Sequence, residues 1–319
     1  MNQFGKLFQI TLYGESHNPT MGLVIDGLPS GITIDNEEIA RLLSLRKAHN
    51  SYETSRHEED EFSIEAGIFK QMTTGAPINI VLKNSAYKST EYDFTKEFYR
   101  SSQVDFVSQK YPNFDWRGGG FLSGRVTALL VIAGYFASLI TKVKVSSKII
   151  SPSEQEVKKI TALGDSLGGQ VEIRASVSPF LGEPIFYKAT SVLSSLLYSI
   201  PTVKGVIFGE LEDIFLAGSK YVDPIINASG KTLTNHSGGI NAGITNGNEL
   251  IINCFIRPIS SFSLPQPLFN KNTNKQETVA LKGRHDLFHL QRLQVVLESA
   301  VQIGLADLTL LAKVFKSDL

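Results

Sequence analysis

Four short segments carry residues whose types and spacing suit chemistry on an anionic ligand. The first is Gly14-Glu15-Ser16-His17, directly after an apolar stretch. A histidine in a polar loop titrates near neutrality and can move a proton, although a surface histidine in a turn explains the pattern as well. The second, Arg117-Gly118-Gly119-Gly120-Phe121-Leu122-Ser123-Gly124-Arg125, runs into a long apolar stretch. Its glycines let backbone approach a ligand, a helix start presents unpaired N–H groups, and Arg117 and Arg125 add charge, which together suit phosphate. The glycine spacing and the missing lysine make it neither a Walker loop nor a dinucleotide fingerprint. A glycine turn that packs a helix closely is the even alternative.

The third segment spans Gly238 to Gly247, with Asn241-Ala242-Gly243 at its centre, and is followed by Arg257-Pro258-Ile259-Ser260-Ser261. Such glycine density is entropically unfavourable on folding, which a flat ligand lying against backbone would explain. The fourth is Lys282-Gly283-Arg284-His285-Asp286. A cation, a titratable ring and a carboxylate in sequence suit a proton relay beside an anionic substrate, and an exposed charged turn would read the same way.

The elements that must hold these segments follow from hydrophobic spacing. Leu7–Tyr13, Gly22–Asp26, Glu61–Phe69, Pro77–Leu82, Gln170–Ser178, Gly205–Gly209 and Glu249–Ile256 alternate or are apolar, and read as strands. Asp35 with Glu38 three residues on marks a helix start. Ser123–Thr141, Tyr187–Ile200 and Leu290–Phe315 read as further helices, the last with Leu293, Val296, Leu297, Ala300, Val301 and Leu305 inward. Strands do not alternate regularly with helices, so the expected class is α+β. The polar stretches Ser151–Lys159 and Asn270–Glu277 read as surface excursions, and no boundary divides residues 1–319 into separate domains.

Lys+Arg and Asp+Glu each total 31, a formal net charge of zero. That argues against general affinity for nucleic acid or an anionic membrane, so any anion site needs a local cluster of basic residues. The single cysteine, Cys254, permits no disulfide within the chain and no cysteine-based zinc site. Val126–Thr141 lacks charge for 16 residues, short of the ~20 that span a bilayer, and is expected to be a buried helix. No secretory pattern opens the sequence, so a cytoplasmic protein is expected.

Taken in order, these segments resemble chorismate synthase. Connecting stretches agree: Met21–Gly31, Thr73-Thr74-Gly75-Ala76-Pro77, Gly182-Glu183-Pro184 and Val203-Lys204-Gly205-Val206 before Phe208-Gly209. The resemblance covers roughly residues 4–312. It implies helices sandwiched between antiparallel sheets, a homotetramer, and anti-1,4-elimination of phosphate from 5-enolpyruvylshikimate 3-phosphate with reduced FMN and no net redox change. NADPH is implied only if the chain reduces its own flavin. By the same resemblance, His17 protonates the reduced flavin, and Asp286 assists removal of the ring proton. Arg46 and Arg125 bind the anionic substrate, and Ser123, Ala242, Gly243, Arg257, Pro258, Ile259, Ser260, Ser261 and Arg284 line the flavin.

The sequence departs from the family pattern at several of these places. Gln103 stands where the family has its second site histidine. Phe121, Val126 and Leu130 stand where it has two arginines and a glutamate. An arginine before the tyrosine matching Tyr52 is missing, and Leu287-Phe288 follow Asp286 where the family has Pro-Cys. Lys47, His49, Lys110 and His285 are nearby groups able to restore charge. These losses raise a second expectation: a catalytically impaired paralogue that binds flavin or substrate in a non-catalytic role.

Overall fold

A computed structural model describes residues 2–47, 60–84, 89–281 and 286–315. Strand Thr20–Asp26 buries Met21, Leu23 and Ile25 on one face, and Ile78–Lys83 buries Ile78, Ile80 and Leu82 beside it. They lie in an antiparallel sheet with spatial order Gln3–Phe4, Gln9–Gly14, Thr20–Asp26, Ile78–Lys83, Phe62–Ala66. A second antiparallel sheet has the order Val203–Phe208, Glu249–Ile256, Gly169–Ser176, Val145–Ser151.

Helices fill the space between the sheets. Helix Thr127–Thr141 packs on strand Thr20–Asp26 and on helix Leu290–Phe315, which packs in turn on Val145–Ser151 and Gly169–Ser176 of the second sheet. Helix Ala189–Ser199 lies against Leu290–Phe315 and strand Val203–Phe208, and helix Asn36–Ser44 against Thr127–Thr141. The arrangement is the expected α+β layering, with one continuous cluster of buried apolar side chains through it. The two long helices cross at Gly134, where an added Cβ would sit 2.4 Å from the Ser299 Cβ, so only glycine allows that approach. Counted with its 3-10 lead-in, Gly124–Thr141 is, like Leu290–Phe315, long and apolar enough to cross a membrane, but both are mostly buried inside the core.

Polar groups pin the layers. Asp35 caps helix Asn36–Ser44, accepting from the backbone N–H of Glu37 at 2.9 Å and of Glu38 at 3.2 Å. Asp307, fully buried on the last helix, accepts from the backbone N–H groups of Lys6, Leu7 and Phe8 at 2.7–3.1 Å and from the Tyr187 hydroxyl. One carboxylate thereby ties together segments 299–301 residues apart.

Two segments differ from their expected form. Ser151–Lys159 is no irregular excursion: Glu154–Ala162 is a helix, started by a capping box in which Ser153 and Glu156 exchange side-chain-to-backbone bonds. Asn270–Glu277 is the turn and second strand of a hairpin, Gln266–Asn270 with Lys275–Val279. Long polar side chains on its exposed face hid the alternation. The helix expected over Ser123–Thr141 begins as a short 3-10 turn, Gly124–Val126, and becomes α-helical at Thr127.

Candidate active site

Where the first helix ends, the glycine loop turns and the last helix begins, the chain encloses a cavity of about 420 Å³. Arg46, Lys47, Arg100, Arg125, Arg257 and Arg292 line it, against two carboxylates, Asp60 and Asp286. In a protein of zero net charge, this is the local concentration of cations that an anion site requires.

Those cations are held in place by pairing. Arg46 and Arg125 share Asp60, whose side chain is 5% exposed: Arg46 Nη1 lies 3.4 Å from Oδ2, and Arg125 Nη1 pairs with Oδ1. Arg46 Nη2 also donates to Thr127 Oγ1 at 3.2 Å, and Arg125 Nε to Asn84 Oδ1 at 3.2 Å. A guanidinium presents several donors in a fixed fork, so a pair made through some of them leaves others to aim at a ligand.

Gln103 is set by a turn that Arg100 closes. Its guanidinium binds both oxygens of Asp105 at 2.8 and 2.7 Å, and its backbone N–H donates to the same carboxylate at 2.9 Å. That turn meets the 257–261 segment: Gln103 Nε2 donates to Ser261 Oγ at 3.3 Å, Ser260 Oγ to the Ser102 carbonyl at 3.5 Å, and Arg257 Nη2 to the same carbonyl at 3.4 Å. Arg257 bonds only carbonyls among the described residues, the other being that of Pro258 at 2.8 Å. Burial lowers its pKa.

His17 is buried just behind the wall, its Nδ1 3.1 Å from Ser16 Oγ. Gly118, at φ +57°, makes room for it, since a Cβ there would fall 2.2 Å from the His17 Cε1. Gly119 and Gly124 line the cavity with nothing closer to a built Cβ than 3.8 Å, and at Gly124 nothing within 4 Å. A flat group can therefore approach the backbone there.

The start of the last helix closes the cavity. Asp286 Oδ2 lies 2.5 Å from Arg292 Nη2. Between them in sequence, His289 is buried, its Nε2 3.0 Å from Thr202 Oγ1. Burial pushes its pKa down to about 4; Asp286 opposes the shift, and Arg292 and Arg257 add to it.

Of the residues singled out from the sequence, Arg46, Gln103, Ser123, Arg125, Arg257, Ile259 and Asp286 line this one cavity. Ser260 and Ser261 brace its Gln103 edge, and Pro258 joins Arg257 to Ile259. Ala242 and Gly243 lie elsewhere. They form the positive-φ turn of the hairpin Ile240–Asn241 and Ile244–Thr245, and the Gly243 carbonyl accepts from the Ala189 N–H at 2.7 Å. Turn geometry accounts for the glycine density there. Arg117 also turns away, held by Asp115 at 2.8 Å through both Nε and Nη2. Lys110 lies over the Tyr111 ring, while Lys47 does line the cavity. Arg284, His285, His49 and Tyr52 lie outside the described residues.

Asp60, Arg100, His289 and Arg292 were not anticipated. For the last two a signal existed: the inward stripe Leu293–Val296, continued back by four residues, lands on His289 and Arg292. Phe121, Val126 and Leu130 line an adjoining, mostly apolar cavity of about 400 Å³ that shares Leu122, Ser123, Thr127 and Pro201 with the first. Phe121 packs there edge-on to Tyr111 and Phe114.

Fold and cavity together define a layered α+β protein whose cavity gathers six basic side chains. The family model described as chorismate synthase matches residues 8–154 and 143–310. A chorismate synthase of Chitinophaga pinensis is 41% identical, over 99% of this chain and all of its own length. Chorismate synthases of Desulfatibacillum aliphaticivorans and Dehalococcoides mccartyi are 36% and 38% identical, each over at least 97% of this chain and 95% of their own. A solved structure titled "Crystal Structure of Chorismate Synthase" superposes with a TM-score of 0.73 at 21% identity, covering 98% of this chain and 94% of that one, a likeness of fold. The chain belongs to the chorismate synthase family.

Proposed function

We propose that the protein is a lyase that converts 5-enolpyruvylshikimate 3-phosphate to chorismate, in the shikimate pathway to aromatic amino acids. The observation that carries this reading is the gathering of six cations around one cavity beside open-faced glycines, in a chain 41% identical to a chorismate synthase. The substrate bears a phosphate and two carboxylates, and paired guanidiniums are the strong way to hold such groups. In the reaction a ring C–H bond and the C–O bond to phosphate break, and a second ring double bond forms.

Arg46 and Arg125, fixed by Asp60, and Arg257 and Arg292 are assigned to the anionic groups. Asp286, oriented by Arg292, is assigned to accept the ring proton. His17, behind Gly118, is assigned by resemblance to deliver a proton, and Gln103 to donate a hydrogen bond where an imidazole would carry charge. Stabilising a departing phosphate is mainly electrostatic work, which preorganised arginines perform.

Reduced FMN is the assigned cofactor, and the residues present fit it. Gly119 and Gly124 leave open backbone for a flat ring, with Ser123, Arg257, Ile259, Ser260 and Ser261 beside it. Pro258 and Arg284 complete the set by resemblance. Ala242 and Gly243 belong to the set by resemblance alone. When bound, the reduced flavin would supply electron density to a reaction without net redox change. NADPH enters only if the chain reduces its own flavin.

A homotetramer is part of the reading. Phe186, Phe215, Ile225, Leu233, Ile185 and Phe180 are 65–90% exposed in the single chain, and light scattering would report the assembly. The single, buried Cys254 accords with a cytoplasmic location. A lowered rate is assigned to Gln103 and to the apolar cavity at Phe121, Val126 and Leu130. Titration with FMN, with and without 5-enolpyruvylshikimate 3-phosphate, tests the assignment. Saturable binding of both is expected; no flavin binding at ~100 µM, a floor of about 5 kcal/mol, would remove the cofactor from it.

A further inference from the structure

Among the described residues His289 is the one histidine in the wall of the anion cavity. Two features set it apart. Its Nδ1 is buried without a hydrogen-bond partner, while its Nε2 meets the Thr202 hydroxyl at 3.0 Å. The charged groups acting on the ring are Asp286 and Arg292 from its own segment and Arg257 from the end of strand Glu249–Ile256.

That constellation can change charge without breaking a bond. A hydroxyl both donates and accepts, so Thr202 can donate to a neutral Nε2 or accept from a protonated one. In the protein alone, burial and the two guanidiniums hold the ring neutral against the pull of Asp286. An anion seated on Arg257 and Arg292 would offset their charge and add its own attraction for a proton. It would also bring oxygens into the cavity that the ring lines.

We infer that His289 takes up a proton when a phosphate- and carboxylate-bearing ligand fills the cavity, so that binding there is proton-linked. This rests on the functional reading above and extends it, giving the cavity a titrating imidazole that position 103 lacks.

The test is calorimetric binding of 5-enolpyruvylshikimate 3-phosphate to the FMN-loaded protein at pH 6.0 in buffers of different ionisation enthalpy. The wild type is compared with His289→Gln, whose amide can keep the Thr202 contact but cannot titrate. The ligand's own phosphate contributes equally to both, so the difference isolates position 289. The wild type should take up more protons, by up to about one per site. Its affinity should rise as pH falls, by up to about tenfold per unit more steeply than the variant's. Equal proton uptake in the two proteins, with binding intact, would overturn the inference and leave the functional reading standing. No binding by the wild type would overturn both. Should His289→Gln not fold, imidazole nitrogen shifts of His289 in the wild type decide the matter: a ring that stays neutral on saturation rejects the inference.

Discussion

Replacing His289 by glutamine should remove a specific sensitivity to acid. In the unfolded chain this imidazole titrates near its ordinary 6.5; in the fold it is pushed down to about 4. Between those values the unfolded chain binds the proton more readily than the folded one. Stability is therefore fully present above about pH 6.5, falls as pH drops towards 4, and levels off below. Each unit of difference corresponds to about 1.4 kcal/mol, so the total is about 3 kcal/mol, of which about 2 kcal/mol is lost by pH 5. Urea unfolding at pH 7.5 and pH 5.0, followed by circular dichroism, measures it in the wild type and in His289→Gln. The wild type should lose about 2 kcal/mol more than the variant over that interval. Equal losses in both proteins would mean that the ring titrates alike in the folded and unfolded chains, and that burial does not hold it neutral.

Other substitutions should act through different parts of the molecule. Asp307→Asn sets an amide among N–H donors that now share a buried carboxylate, and should destabilise by about 3 kcal/mol, read as a lower urea midpoint with unchanged slope; a shift under ~1 kcal/mol would count against the clamp. Gln103→His should raise turnover by about 10²–10⁴-fold if the absent imidazole limits the rate. A folded, flavin-binding variant with no gain would put the limit at the apolar positions instead. His17→Ala and Asp286→Ala should each lower turnover by ~100-fold or more with flavin affinity nearly unchanged, and wild-type rates in either would reject its assigned role.

Much of the scaffold was legible because local pattern and tertiary demand agree. Leu290–Phe315 and Glu249–Ile256 have the bounds their hydrophobic spacing predicts, and Asp35 is the cap its position implies. The helix Glu154–Ala162 was missed although Ser153 and Glu156 spell a capping box, because its exposed face is dominated by charge. The site was legible as segments but not as an arrangement. No local signal says that Gln103 meets Ser261, 158 residues away, or that Asp60 serves both Arg46 and Arg125. At Gly238–Gly247 two uses look alike in sequence: glycines needed for tight turns, which the structure has there, and glycines needed for a ligand.

Anaerobic turnover of 5-enolpyruvylshikimate 3-phosphate, with product and phosphate measured together, decides whether the protein performs the elimination. Chorismate and phosphate are expected in equal amounts when reduced FMN is present, and neither with oxidised FMN alone. A protein that binds both flavin and substrate yet releases no phosphate would contradict it.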